Sequence, residues 1–423
     1  ALLAMGWISY NFSEKTESFI LASKTKQDSR RALELGKTSK TSNKISDEPQ
    51  AIMNDPAISQ AWGLTKTDAA KAWTLSQGNR KILVAVIDTG IDVKHEDLVK
   101  NLWVNPGETG VDSKGRNKAT NGIDDDGNGF ADDVHGWNFV SNNPNLQDNH
   151  GHGTHIAGII GAEAGNKKGI AGIAPEVSLM VLKYFDPKVP STDNLKNTVN
   201  AIRYAIKMKV TIINYSGGGT EFSQEEYDAI NEARRQGILF VAAAGNERSN
   251  SDHFHYYPAD YGLSNIISVT AIDPSTKVLP SSNYGTETVD IAAPGQNILS
   301  TLPNNQYGYM TGTSQGTAFV TGAAVLVKAH REDADPEAIK KYILATGDSE
   351  QNLISKTKNS RRLNLFKALS MLDSGTGVSG IVAANTINMK QFTGSNTSSA
   401  VDIAVFGKSL IHSIEKESVF KKN

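Results

Sequence analysis

Three short segments of the chain carry side chains whose types and order could do chemistry together. Val86-Ile87-Asp88-Thr89-Gly90 closes an apolar run with a carboxylate followed by a turn. Residues 149–158 (NHGHGTHIAG) set His150, His152 and His155 close together ahead of the helical stretch 159–163. Residues 312–318 (GTSQGTA) place Ser314 at the opening of the helix-like stretch 319–329. Asp, His and Ser in that order, with the hydroxyl at a helix start, make an acid–base–nucleophile arrangement. A fourth segment, residues 121–133 (NGIDDDGNGFADD), is acidic and punctuated by glycine. Its hard oxygens at alternate positions suit calcium, and its glycines let a loop wrap an ion. It opens like an EF-hand loop but lacks the terminal Glu at the required spacing.

The elements that must position these residues are legible as an alternation. Residues 81–87 (KILVAVI) form a near-continuous apolar run of strand length, as expected of a parallel strand covered on both faces. Similar runs occur at 179–182, 210–213, 238–244 and 266–269. Helical periodicity lies between them at 194–207 and 224–236, with Gly237 where a helix C-cap belongs. Strand, helix, strand in repetition predicts an α/β fold, a mostly parallel β-sheet flanked by helices on both faces. Ligand sites in such folds lie at the carboxyl ends of the strands.

Composition narrows the function class. Of 423 residues, 39% are hydrophobic and 21% charged, which is ordinary globular usage. With Lys+Arg 43 against Asp+Glu 45 the net charge is -2, which argues against nucleic acid as a partner. Zero cysteines exclude a disulfide scaffold, a thiolate zinc site, an iron–sulfur cluster and a cysteine nucleophile. No run reaches the ~20 apolar residues of a membrane span. Residues 1–8 (ALLAMGWI) are expected to be the tail of a signal peptide or anchor, and residues 23–50, rich in Lys, Ser and Thr, a linker or pro-segment remnant. Residues 55–372 are expected to form the catalytic domain, and 373–423 a C-terminal extension.

On these motifs the chain resembles the subtilases, the subtilisin-like serine endopeptidases, over roughly residues 60–372. Each motif alone admits another reading. Asp-Thr-Gly also marks aspartic proteases, which need two such carboxylates, whereas this chain has one Asp-Thr-Gly. The three histidines could gather a metal, and a Ser before a helix is commonly its N-cap. The family pattern His-Gly-Thr-His-x-Ala-Gly assigns the base to His152, with His155 a packed neighbour. The resemblance implies a three-layer architecture and a mechanism in which His152 takes the proton of Ser314 as it attacks the scissile carbonyl. Asp88 then holds the imidazole tautomer and stabilises its charged form. Residues 242–247 (AAAGNE) match the family's oxyanion strand, handing that role to the Asn246 amide with the Ser314 N–H. Ser216, Gly217 and Gly218, with Ala244 and Gly245, are implied to pair with the polypeptide substrate.

Departures accompany the match. Gln315, Gly316 and Ala318 stand where subtilases have Met, Ala and Pro, and Gly217 where they have Leu or a similar residue, which is expected to remove a side chain from a pocket wall. A catalytically silent fold used as a binding module is the competing reading. Retention of Asp88, His152, Ser314 and Asn246 argues against it. The resemblance also implies structural calcium. Asp124, Asp126, Asn128 and Asp132 are expected ligands in the acidic loop, and Asp97, Gln60 and Asn166 in a second site. The implied location is secreted or cell envelope, with membrane association only through an N-terminal anchor. Oligomeric state is not readable from the sequence.

Overall fold

The structure, a computed structural model, describes residues 54–189 and 191–373; the expectations for the segments before and after lie outside them. Its strands are β1 (Gly78–Asp88), β2 (Gly136–Asn138), β3 (Glu176–Lys183), β4 (Ile212–Tyr215), β5 (Leu239–Ala243), β6 (Ile266–Ile272), β7 (Ile291–Pro294), β8 (Ile298–Leu302), β9 (Gln306–Met310), β10 (Asp348–Ser349) and β11 (Arg361–Arg362). Among the described residues nine of them form one sheet in the order β10-β11-β7-β6-β5-β4-β1-β3-β2, parallel throughout except at β10–β11. Strands β8 and β9 make a separate antiparallel pair.

The apolar runs are continuous because alternate side chains enter different cores. Val84 and Val86 of β1 pack into one cluster, and Ala85 and Ile87 into another. The same split recurs in β3, with Leu179 and Val181 on one side and Met180 and Leu182 on the other. The first cluster takes in Ile156 and Ile160 of the His152–Gly161 helix and Val320 and Ala324 of the Thr313–His330 helix. The second takes in Ile202 of the Asn194–Lys207 helix and Ile230 of the Gln224–Arg235 helix. Helices therefore cover both faces, giving the three layers that the alternation predicts.

Local signals explain the ends of these helices. Asp193 caps the first turn of the Asn194–Lys207 helix by accepting from the Lys196 N–H. The Gln224–Arg235 helix stops at a Schellman turn. Gly237 takes φ +72°, its N–H bonds the Arg234 carbonyl, and the Ile238 N–H bonds the Ala233 carbonyl. Strand β4 begins two residues later than the apolar run that predicts it and continues through Asn214 and Tyr215. Its register against β1 pairs Ile87 with Tyr215, and β5 pairs Ala242 with Tyr215. The carboxyl ends of β1, β4 and β5 thus finish side by side, and the strand order switches at β1, with β3 and β2 on one side and β4 to β7 on the other. That edge is where an α/β sheet of this kind holds its ligand.

Candidate active site

Asp88 is the last residue of β1 and is buried. His152 opens its helix, with Gly151 at the cap, so the imidazole emerges from the first turn. That helix starts seven residues before the stretch that predicts it, and the Thr313–His330 helix starts six residues before its own. The Gly- and Thr-rich first turns of both helices have weak intrinsic propensity, so tertiary packing rather than composition makes them helical. The closeness of the two chain segments explains their glycines. A Cβ at Gly153 would stand 2.1 Å from the Gly90 carbonyl oxygen, and one at Gly90, where φ is +107°, 2.5 Å from that of Leu146.

The acid–base pair is formed. His152 Nδ1 lies 2.7 Å from Asp88 Oδ1, which also accepts the Thr89 N–H at 2.8 Å. A carboxylate can only accept here, so Nδ1 carries the proton and Nε2 is left as the basic nitrogen. Burial acts to lower the His152 pKa, but the charge and hydrogen bond of Asp88, aided by Asp148, outweigh it and hold the pKa above the usual value. Asp148, which nothing in the motifs singles out, braces this corner. Its two carboxylate oxygens accept from Thr89 Oγ1, the N–H groups of His150 and Gly151, and the N–H and hydroxyl of Thr154.

The three histidines do not converge on one point. His155 is buried, and its Nε2 faces the carbonyls of Ile298 and Gly308 at 2.9 and 3.2 Å, with burial pushing its pKa down to about 3. His150 stands edge-on to His152 with ring centroids 6.1 Å apart, its pKa lowered by burial and then by the charge of His152.

Ser314 sits in the first turn of its helix, almost fully buried. Its hydroxyl donates to the Ser216 carbonyl at 3.2 Å rather than to His152. Asn246 follows β5, and its Oδ1 accepts from the Thr313 N–H at 3.0 Å and the Thr313 hydroxyl at 3.3 Å. Two donors on the oxygen fix the amide's orientation and free its NH2 group to donate elsewhere, which is the polarity an oxyanion requires. Buried Asn283, also absent from any motif, holds this turn. It accepts the N–H groups of Glu247 and Ser249 and donates to the Ala244 carbonyl at 2.9 Å. Gly217 does not vacate a pocket wall as the sequence suggests. A Cβ there would stand 2.3 Å from the Tyr184 hydroxyl oxygen, so a tyrosine from the strand β3 side occupies the space.

The acidic loop lies apart. Glu108, Asp124 and Asp126 bring one carboxylate oxygen each within 4.8 Å of one another, so Glu108 joins two of the four expected residues. Asn128 instead braces the loop, donating to Asp126 and Asp133 at 3.1 and 2.8 Å while its Oδ1 accepts from Phe130. Both oxygens of Asp132 accept from the Gly122 N–H. Burial raises the pKa of Glu108, and the charges of Asp133 and Asp126 add to it against two backbone hydrogen bonds. Burial likewise raises Asp133. Among the described residues no cation pairs with these carboxylates, so a hard divalent cation fits the donor set. In the second expected site Asn166 donates to buried Asp97 at 2.7 Å. Gln60 is exposed, with its Oε1 accepting from the Tyr309 hydroxyl. The carboxylate that faces Asp97 belongs to Asp55, whose pKa is raised by burial and then by Asp97, against backbone hydrogen bonds from Gly165 and Lys167.

Known proteins resemble this chain in sequence and in fold. A family model described as the subtilase family matches residues 79–365. The major intracellular serine protease of Bacillus subtilis (strain 168) is 36% identical over 274 residues, covering 64% of this chain and 76% of its own. Thermitase of Thermoactinomyces vulgaris is 33% identical over 320 residues, 75% of this chain and 98% of its own. Among solved structures, a protease from Pseudoalteromonas arctica PAMC 21717 shares the fold with a TM-score of 0.57 at 24% identity, over 75% of this chain and 98% of that one. The chain belongs to the subtilase family and is a subtilisin-like serine protease.

Proposed function

We infer that this chain cuts polypeptides by acyl transfer through Asp88, His152 and Ser314. The observation that carries the reading is the 2.7 Å contact between His152 Nδ1 and Asp88 Oδ1, which leaves Nε2 as the basic nitrogen. Ser314 turns from the Ser216 carbonyl toward His152, loses its proton to Nε2 and attacks the scissile carbonyl. The oxyanion is met by the Asn246 amide and the Ser314 N–H. His152 returns the proton to the leaving amine, and water repeats the sequence to release the acyl group. Ser216, Gly217 and Gly218 on one side and Ala244 and Gly245 on the other bracket the substrate chain. Glu108, Asp124 and Asp126 would hold calcium, with Asp97, Asp55 and Asn166 offering a second site. An ion there would offset the repulsion among carboxylates of which Glu108, Asp97 and Asp55 are buried, stabilising the fold without entering the reaction.

The catalytic unit is assigned to residues 55–372. Among the described residues no helix is long and apolar enough to cross a membrane. Export to the exterior or envelope rests on residues 1–8 and is tested by fractionating cells that express the chain with and without them. The reaction is tested by labelling with a fluorophosphonate and mapping the adduct. An adduct on Ser314 that His152→Ala abolishes supports it; an unlabelled Ser314 in folded protein overturns it.

A further inference from the structure

The space for the side chain that precedes the cut bond is set by the reacting groups. The subtilase resemblance assigns residues 216–218 and 244–245 to the substrate chain, so, with the scissile carbon at Ser314 Oγ and its oxygen toward Asn246, that side chain leaves between these two segments. The first segment carries the carbonyl that accepts from Ser314, and the second runs into Asn246. Glycines at 217, 218 and 245 suggest a deep gap between these walls, but aromatic rings fill it. A Cβ at Gly218 would stand 2.5 Å from Tyr256 Cε1 and 3.0 Å from its Cζ. A Cβ at Gly245, where φ is +100°, would stand 2.9 Å from Cγ of the same ring. One ring therefore reaches from wall to wall.

Its surroundings hold it there. The Tyr256 N–H donates to Asp260 Oδ2 at 2.8 Å, and Tyr257 exchanges two backbone hydrogen bonds with Gly219, at 2.9 and 2.7 Å. Beside Gly217 the Tyr184 hydroxyl closes the flank, with Tyr215 packed edge-on behind it, ring centroids 5.4 Å apart. Glu247 Oε2 comes within 2.3 Å of the Gly245 Cβ position and accepts from Asn283 Nδ2 at 2.7 Å, so its carboxylate is already engaged.

We propose that Tyr256 is a specificity-determining residue, its ring forming a raised floor between Gly218 and Gly245 that restricts the residue before the cut bond to Gly, Ala or Ser. The proposal rests on the assignment of Ser314 as nucleophile. A single methylene in a fitted pocket changes selectivity about 10–200-fold, so a phenylalanine directed onto an occupied floor is disfavoured by at least about 100-fold.

The test uses the full chain and a peptide p-nitroanilide series that differs only in the residue before the anilide: Ala, Leu, Phe or Lys. The expected result is kcat/KM for Ala at least about 100 times that for Phe, with Leu and Lys also poor. In Tyr256→Ala the Phe-to-Ala ratio rises at least about tenfold, carried mainly by KM. Tyr256→Phe keeps the original ratio because ring volume, not the hydroxyl, sets the floor. Fluorophosphonate labelling of Ser314 shows that each variant is folded. Wild-type protein that labels yet cleaves after Phe or Lys as readily as after Ala overturns the proposal while sparing the nucleophile. An unchanged ratio in labelled Tyr256→Ala does the same, and failure of the wild type to label overturns both.

Discussion

The cleft and the acidic loop solve opposite problems with the same residue types. In the cleft one carboxylate meets one imidazole, and the pairs that set the reacting groups join distant parts of the chain: Asp88 meets His152, Asn246 meets Thr313, and Asn283 meets Ala244 and Glu247. In the loop, Glu108, Asp124, Asp126 and Asp133 crowd together, and most of their partners are amides from the loop or from Asn105 nearby. Burial and mutual repulsion leave Glu108 and Asp133 reluctant to ionise, whereas Asp124, favoured by the N–H groups of Gly129 and Asn128 against its own burial, ionises readily. A centre whose charges balance internally needs nothing added to react; a centre with surplus negative charge gains stability from a cation. The first should govern rate and the second stability.

The largest expected effect tests the cleft. Asp88→Asn should lower kcat about 10⁴-fold, since an amide there favours the wrong imidazole tautomer. The same substitution bears on pH. His152 works as a base only when neutral, and its pKa is raised by Asp88. The wild-type kcat/KM should therefore fall as pH drops through an apparent pKa above 6.5, the ordinary value for histidine, and that limb should move to lower pH in Asp88→Asn. A wild-type limb below that value would break the account of the pair.

Asn246→Ala should cost roughly 10²–10³-fold in kcat with little change in KM, because the amide acts on charge that exists only in the transition state. An equal loss carried by KM would instead make Asn246 a substrate-binding group.

Calcium removal sharpens the contrast from the other side. Chelation should lower the thermal midpoint by on the order of 5 °C, while initial rates well below that midpoint stay close to those with calcium. Glu108→Gln should shrink the shift produced by chelation. An immediate loss of kcat at unchanged midpoint would place the ion in the reaction and collapse the comparison.

The smallest effect lies within the nucleophile's own helix. A Cβ at Gly316 would stand 3.4 Å from the carbonyl oxygens of Ala293 and Thr270 and from Val269 Cγ1, which is ordinary contact. Gly316→Ala should raise stability by up to about 1 kcal/mol, read as a higher denaturant midpoint.

What could be read in advance divides by the range of the forces involved. The buried strands and the two amphipathic helices were legible because periodicity and capping are local: the Asn194–Lys207 helix falls where its apolar spacing puts it, and Gly237 ends its neighbour. The short strands β2, β10 and β11 carry too few residues for a pattern to show, and the apolar pattern of β8 (ILSTL) and β9 (QYGYM) is broken by polar residues and a glycine. Asp148, Asn283, Asp55 and Glu108 were missed because an isolated acid or amide gives no signal until folding supplies its partner. Gly217 misled for a related reason: absence of a side chain cannot say which distant tyrosine takes the space.

The sequence by itself determined the α/β class and, through Asp88, His152, Asn246 and Ser314, the subtilase resemblance, since strand pattern and motif spacing are properties of neighbouring residues. Tertiary structure alone decided which nitrogen of His152 faces Asp88, which way the Asn246 amide points, which carboxylates cluster and how deep the gap beside Ser314 runs. Those depend on contacts between residues far apart in sequence, such as Asp88 and His152, 64 positions apart, and Ser216 and Ser314, 98 apart, and only the packed chain brings such residues within a few ångströms.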